Sequence, residues 1–172
     1  MVEFQKDMNE AYYDGAPGIL SSGAVWLLAG AVSFFGSSSA GIITLIFGGT
    51  LIFPLSLLLC KLLGRSGKHK KENPLGLLAM EGTFWMLLSI PIAAATIFHK
   101  PEWFFPAMLL IIGGRYLTFN TIYGNRIFWL FSASLAASSV ILVMLSAPVY
   151  VGGLTGGFIE LIYALVIFAR SK

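Results

Sequence analysis

Charged residues are scarce in this sequence, and histidine and cysteine are almost missing. Only 11% of the 172 residues are charged and 57% are apolar, whereas an ordinary soluble domain has roughly 25% charged residues. Water is therefore not the main solvent for the chain. With two well-separated histidines and one cysteine, it cannot assemble a metal cluster, an internal disulfide or a Ser/His dyad. We expect no enzyme activity, no cofactor and no metal.

The charges that are present do not form a nucleic-acid-binding pattern. The net charge is +3, but the basic residues are dispersed between the ends of apolar runs and one short loop, with no basic domain face. We therefore expect no nucleic-acid partner. The expected partners are the lipid bilayer and a small solute or ion, and a homo-oligomer is left open.

Six apolar runs, joined by short polar connections, occupy most of the chain. The runs cover residues 19–36, 41–63, 75–98, 103–119, 127–145 and 153–169. A bilayer core of roughly 30 Å needs about 20 apolar residues per helix, so six spans account for nearly the whole length. The sequence predicts a single all-α transmembrane domain over residues 1–172, built from three helical hairpins at 19–63, 75–119 and 127–169.

The N-terminal segment 1–18 has a different pattern. Phe4, Met8 and either Ala11 or Tyr12 recur at helical spacing, and acidic residues occupy other positions. This arrangement is typical of a short amphipathic helix that lies at a membrane interface. A glycine- and proline-containing stretch at 15–18 then ends it.

Basic residues predict the orientation of the chain. The loop 64–74 is the only strongly polar connection, and the positive-inside rule assigns it to the cytoplasm. Alternating from that loop, the residues assigned to the cytoplasmic side are Lys6, Lys61, Arg65, Lys68, Lys70, Lys71, Arg126, Arg170 and Lys172. Only Lys100 is assigned outside, and both termini are predicted in the cytoplasm.

A tryptophan and a glycine pair recur in each predicted hairpin. The tryptophans of the odd helices are Trp26, Trp85 and Trp129, and the pairs of the even helices are Gly48–Gly49, Gly113–Gly114 and Gly156–Gly157. Three parallel two-helix repeats would explain this recurrence. Chance in a glycine-rich chain is the alternative. In either case we expect these glycines at helix contacts, because small residues let helix backbones approach closely in lipid.

Three ionisable residues fall inside predicted spans and are the main site candidates. Glu81 and Arg115 lie about 9 Å and 6 Å from the cytoplasmic ends of their helices, at 1.5 Å per residue, so an ion pair between them is reasonable. Glu160 lies deeper. Charged groups in a bilayer normally face the bundle interior or a cavity.

Further polar groups are expected in the same half of the bundle, at Tyr116, Asn120 and Tyr163. Two interpretations stay open. These residues could bind or move a small solute, an ion or a proton. Alternatively, the buried charges could be structural, in a non-transporting scaffold or stress-response protein, because buried ion pairs also fix helix register.

Three motifs resemble a family of small bacterial inner-membrane proteins of unknown function. They are 47–55 (FGGTLIFPL), 101–106 (PEWFFP) and 113–119 (GGRYLTF). The resemblance covers most of the chain and implies the plasma membrane of a bacterium, but it carries no activity. The hairpin pattern is also similar, at the level of fold alone, to the two-helix repeats of acid-resistance membrane proteins.

Overall fold

The computed structural model of the protein describes residues 1–171, which form α-helices and short 3₁₀ turns but no strand. The α-helices are α1 (Val2–Tyr12), α2 (Ala16–Phe35), α3 (Ser38–Leu62), α4 (Pro74–Ala95), α5 (Phe104–Tyr123), α6 (Ile127–Met144) and α7 (Val149–Arg170). Helices α2 to α7 correspond to the six predicted apolar runs, so the all-helical prediction is confirmed. Lys172, one of the basic residues assigned to the cytoplasm, lies outside the described residues.

Local side-chain chemistry explains several of the helix boundaries. Ser37 accepts a hydrogen bond from the Ala40 amide at the start of α3, and the Asn73 side chain does the same for Leu75 at the start of α4. Helix α7 begins at Val149, four residues before the predicted run. Pro148 precedes it as the N-cap residue.

Five of the six long helices are long and apolar enough to cross a membrane. Helix α5 is not among them, because Arg115, Tyr116 and Asn120 lower its hydropathy. It is nevertheless one of the most buried helices, and Phe104 and Leu109 are fully enclosed. Its polar side chains face neighbouring helices, because Arg115 bonds to Thr83 of α4 and Tyr116 bonds to Glu160 of α7.

The bundle has a buried centre and two peripheral helices. Helix α2 packs most extensively against α7 and α3, and α5 packs against α6 and α4. Only 11% of the apolar stretch of α3 and 6% of that of α4 is buried. Helices α6 and α7, the third predicted hairpin, pack less extensively on each other than the first two pairs do. The three-repeat arrangement is therefore not confirmed.

Helices α2 and α7 approach each other closely through glycines. A Cβ added to Gly153 would lie 2.7 Å from the Gly30 Cα, and one added to Gly30 would lie 2.7 Å from the Leu154 amide nitrogen. A Cβ added to Gly157 would lie 2.8 Å from the Leu27 amide nitrogen. Real Cβ atoms cannot approach backbone atoms this closely. The backbones of the two helices can therefore come this near to each other only at positions that lack a side chain.

Most of the predicted packing glycines lie at helix contacts. An added Cβ would be within 3.5 Å of a residue on another helix at Gly48 (Val25), Gly113 (Leu135), Gly114 (Trp85), Gly156 (Trp26) and Gly157 (Leu27). Gly49 is the exception, because nothing lies within 4 Å of its built Cβ. The packing prediction was wrong for Gly49, since that face of α3 has no neighbour in the bundle.

Helix α1 forms at the predicted position, but its apolar face is covered by protein. Met8 and Ala11 are buried, while Phe4 stays 39% exposed. Gln5 donates a hydrogen bond to the Thr121 carbonyl (2.9 Å) and Asn9 donates to that of Tyr123 (3.1 Å). The amphipathic pattern therefore marks a helix that docks across the end of α5.

The basic loop is tied to the same helix. Asp7 accepts hydrogen bonds from the Asn73 side chain (2.7 Å) and from the Lys70 amide (3.0 Å). The Asn73 bond is the main cause that holds the pKa of the Asp7 carboxyl below its ordinary value. Ser171, after α7, donates to Asp14. Helix α1, the basic loop and the ends of α5 and α7 thus gather at one end of the bundle.

Candidate functional site

A buried carboxyl group lies in the middle of the bundle, where α2, α5 and α7 meet. Glu160 is 0% exposed, and its Oε1 accepts a hydrogen bond of 2.8 Å from the Tyr116 hydroxyl. The second oxygen, Oε2, is buried and has no hydrogen-bond partner. Ser22 lies close to the carboxyl without completing a bond to Oε2. Glu160 and Tyr116 form the candidate site.

The small residues of α2 and α7 explain why this carboxyl is enclosed. A Cβ added to Gly23 would lie 3.1 Å from the Glu160 Cβ and 3.2 Å from the Gly157 carbonyl oxygen. The helices approach so closely here that α2 covers the first atoms of the glutamate side chain. The side chain therefore extends toward α5, where it reaches Tyr116.

Aromatic rings cover the other side of the site. Tyr116 stacks on Phe131 of α6, with ring centroids 4.3 Å apart, and Phe131 stacks on Tyr163 of α7 at 4.5 Å. The Tyr163 hydroxyl lies 2.9 Å from the Ser134 Oγ. Tyr163 is thus connected to the site through a ring stack and not through a hydrogen bond to Glu160.

The Arg115 side chain points toward α4, whereas that of its neighbour Tyr116 points toward α7. Its guanidinium group is half-buried against α4, where it donates to the Thr83 hydroxyl (3.1 Å) and contacts the Met86 sulfur (3.7 Å). Its Nε is buried without a partner. The group also lies 5.6 Å from the centre of the Phe119 ring. No carboxylate neutralises this charge among the described residues.

The predicted pair of Glu81 with Arg115 does not form. Glu81 is exposed on α4, and the ion pair present among residues 1–171 is Lys6 with Glu10. Arg115 packs beside Gly82, one residue further along α4. Residues one apart on a helix point about 100° apart, so Glu81 is directed away from the bundle. The three ionisable residues do not line a common cavity.

Asn120 does not join the site. It is half-buried, and its backbone carbonyl accepts the Gly124 amide at the end of α5. Two pockets, of about 470 Å³ and 280 Å³, open at the α1 end of the bundle, and neither includes Glu160 or Arg115. Within residues 1–171, no group of three or more His, Cys, Asp or Glu residues could hold a metal ion.

Sequence reasoning identified Gly156 and Gly157 of α7 as packing residues, but it missed Gly23 of α2, which lies against Glu160, and Gly152 and Gly153 of α7. Gly152, Gly153, Gly156 and Gly157 form two overlapping small-xxx-small patterns, which could have indicated the first two. Two further polar neighbours, Ser22 near Glu160 and Thr83 at Arg115, had no such signal. Serine and threonine are common in apolar helices and usually bond to their own backbone.

A family model described as "Family of unknown function (DUF7010)" matches residues 1–170 of the chain. This match confirms the predicted relationship to a family of unknown function. The description mentions neither a membrane nor bacteria. No curated protein and no solved structure matches the chain.

Proposed function

The chain belongs to this family, whose description assigns no activity, and we propose that it is a six-helix protein of a bacterial inner membrane that binds a proton or small cation at Glu160. In this proposal α5 is the sixth span, which packs mainly against α4 and α6. Exposed leucine, isoleucine and phenylalanine side chains on α3 and α4 support it. An apolar surface of that extent needs a solvent other than water.

The same proposal includes an orientation. Helix α1, the basic loop and the end of α7 lie at one end of the bundle, and an excess of lysine and arginine favours the cytoplasm. A cysteine introduced at Ser66 is expected to resist a membrane-impermeant thiol reagent added to intact cells. A cysteine at Lys100 is the matched control and should be labelled, and labelling of Ser66→Cys alone would reverse the topology.

The unpaired oxygen of Glu160 is the observation that carries the proposed activity. A buried carboxylate with no cation beside it is unfavourable, and ionisable residues in membrane helices commonly belong to ion paths or proton relays. A bound proton or a small cation at Oε2 would neutralise the group. Tyr116, which already donates to Oε1, would keep the carboxyl in a fixed orientation for that exchange.

The enclosure of the site implies a moving part. Glu160 has no solvent-exposed surface, so a proton or cation reaches it only after the helices around it separate. A carboxyl that binds a proton or cation in one conformation and releases it in another can couple the movement of that proton or cation to the movement of a small solute or ion. We propose that coupling as the function, without assigning the solute.

The test is flux through liposomes that contain the purified protein. With an imposed pH gradient and a panel of ions and small metabolites, the wild type should dissipate the gradient faster than protein-free liposomes. Glu160→Gln, which keeps the shape and cannot bind a proton at this position, should fall to the protein-free rate. Tyr163→Phe is the control, because it removes a half-buried tyrosine hydroxyl that does not bond to Glu160, and it should keep the wild-type rate.

A structural role for the same residues is the second candidate. The complete enclosure of Glu160 and its bond to Tyr116 would also pin α5 to α7 in one register. If the wild type dissipates no gradient with any solute of the panel, while Glu160→Gln changes only the melting temperature, the transport proposal is wrong and the scaffold is preferred.

A further inference from the structure

Residues Tyr13, Asp14 and Gly15 join α1 to α2 in a backbone conformation that side chains rarely adopt. Their φ angles are 52°, 53° and 80°, so all three lie in the left-handed region. That region is unfavourable for tyrosine and aspartate, because the Cβ atom crowds the following carbonyl oxygen. Two such residues in succession persist only where the surrounding structure holds them in place. We call these three residues the cap segment.

The cap segment lies across the ends of α2, α5 and α7, the three helices that meet around Glu160. Gly15 leads directly into α2 at Ala16. The contacts of the segment with the other two helices are those of Gly15 with the Tyr123 ring of α5, of Tyr13 with the Phe168 ring of α7, and of Asp14, which accepts a hydrogen bond, with the Ser171 hydroxyl after α7. One short segment therefore holds these helix ends together.

The carboxyl site lies a short distance behind the cap segment. Glu160 is ten residues before the end of α7 at Arg170, or about 15 Å from that end at 1.5 Å per residue. Its partner Tyr116 is seven residues before the end of α5 at Tyr123, or about 10 Å. The route from this end of the bundle to the carboxyl is thus two to three helical turns long.

A pocket opens on the other side of the cap segment. It is the pocket of about 280 Å³ at the α1 end, and Tyr13, Asp14 and Ser171 line it together with charged residues of α1, the basic loop and the end of α7. Gly15, in contrast, is buried against Tyr123. The cap segment therefore has one side toward a polar pocket and the other toward the helix ends that lead to the site.

We propose that the cap segment is a gate between this pocket and the carboxyl, through which a proton or small cation reaches Glu160 if that carboxyl has the function proposed above. The gate is closed in this structure, since Glu160 has no exposed surface. It opens when Asp14 releases Ser171 and the ends of α5 and α7 separate. The left-handed residues can then return to ordinary backbone, and this relief of strain offsets part of the contact energy that opening loses.

Thiol labelling beside the carboxyl tests the gate. In a Cys60→Ala background, Ser22→Cys places a buried thiol near Glu160, and a small, membrane-impermeant cationic methanethiosulfonate is added to the α1 side of the membrane, which inside-out vesicles expose in the proposed orientation. Asp14→Ala should speed the labelling roughly tenfold, because a hydrogen bond to a carboxylate is worth about that factor in an equilibrium. Asp14→Asn should label like the parent, because asparagine keeps an acceptor for Ser171 and tolerates the left-handed region.

Ser139→Cys is the control for general loosening of the bundle. Ser139 is similarly buried, on α6, and bonds to the Pro106 carbonyl, so Asp14→Ala should leave its labelling rate unchanged. Equal acceleration at Ser22→Cys and Ser139→Cys would overturn the gate. Equal rates at Ser22→Cys in Asp14→Ala and Asp14→Asn would overturn it as well, and so would labelling of Ser22→Cys only from the opposite face.

The labelling rate does not depend on what Glu160 binds, so it separates the gate from the proposed function. Labelling that responds to Asp14→Ala, in a protein that dissipates no pH gradient, would refute the proton or cation function and support the gate. Flux that disappears in Glu160→Gln, with no response of labelling to Asp14→Ala, would support the function and refute the gate.

Discussion

Gly153→Ala is expected to be among the most destabilising single changes in the bundle. The added Cβ would lie 2.7 Å from the Gly30 Cα and 2.9 Å from its amide nitrogen. These are backbone atoms, so no side chain can rotate away and α2 must separate from α7. Overpacking of this kind costs about 1–3 kcal/mol, and more where backbone has to move. Denaturant unfolding in detergent micelles measures the loss.

Gly49→Ala is the matched control, because it makes the same chemical change on the exposed face of α3. Nothing lies within 4 Å of its built Cβ, and alanine has the higher helix propensity by about 0.8–1 kcal/mol. We expect unchanged or slightly increased stability. If the two variants unfold alike, the α2–α7 glycine contact does not set the stability of the bundle.

The sequence predicted the helices well because their signals are local. Apolar runs, prolines and capping residues act within a few positions, and six helices follow the six predicted runs. What covers an apolar face is not a local property. Met8 and Ala11 predicted an amphipathic helix at an interface, but the interface is the end of α5 and the basic loop.

The site was predicted only in part, and for a geometric reason. Depth along a helix can be calculated from residue number, so Glu81 and Arg115 were expected at similar levels. The direction in which each side chain points depends on how the helices are rotated against their neighbours. Glu81 turned out to face away, and Arg115 lies between Thr83 and Met86. Tyr116, one residue later, points to the other side of α5 and bonds to the Glu160 carboxyl.

Tyr116→Phe is expected to destabilise the protein, whereas removal of both members of the site should be tolerated. The single change leaves the enclosed Glu160 without its donor, and a buried group left unpaired costs about 1–3 kcal/mol. In Tyr116→Phe with Glu160→Leu no acceptor is left to satisfy, and replacing both partners by apolar groups can be nearly neutral. The two changes should therefore be strongly non-additive in a double-mutant cycle.

The same cycle with Tyr163→Phe in place of Tyr116→Phe should be additive, because Tyr163 bonds to Ser134 and not to the carboxyl. Additivity in both cycles would remove Tyr116 from the site.

Flux gives a second measurement on the same variants. If Glu160 is the proton or cation site, Tyr116→Phe should retain flux with a shifted pH midpoint, since the carboxyl is present but has lost a donor to its charged form. The stable double variant should show no flux at any pH. A double variant that still dissipates the gradient would show that the path lies elsewhere in the bundle, however strongly the two residues are coupled in folding.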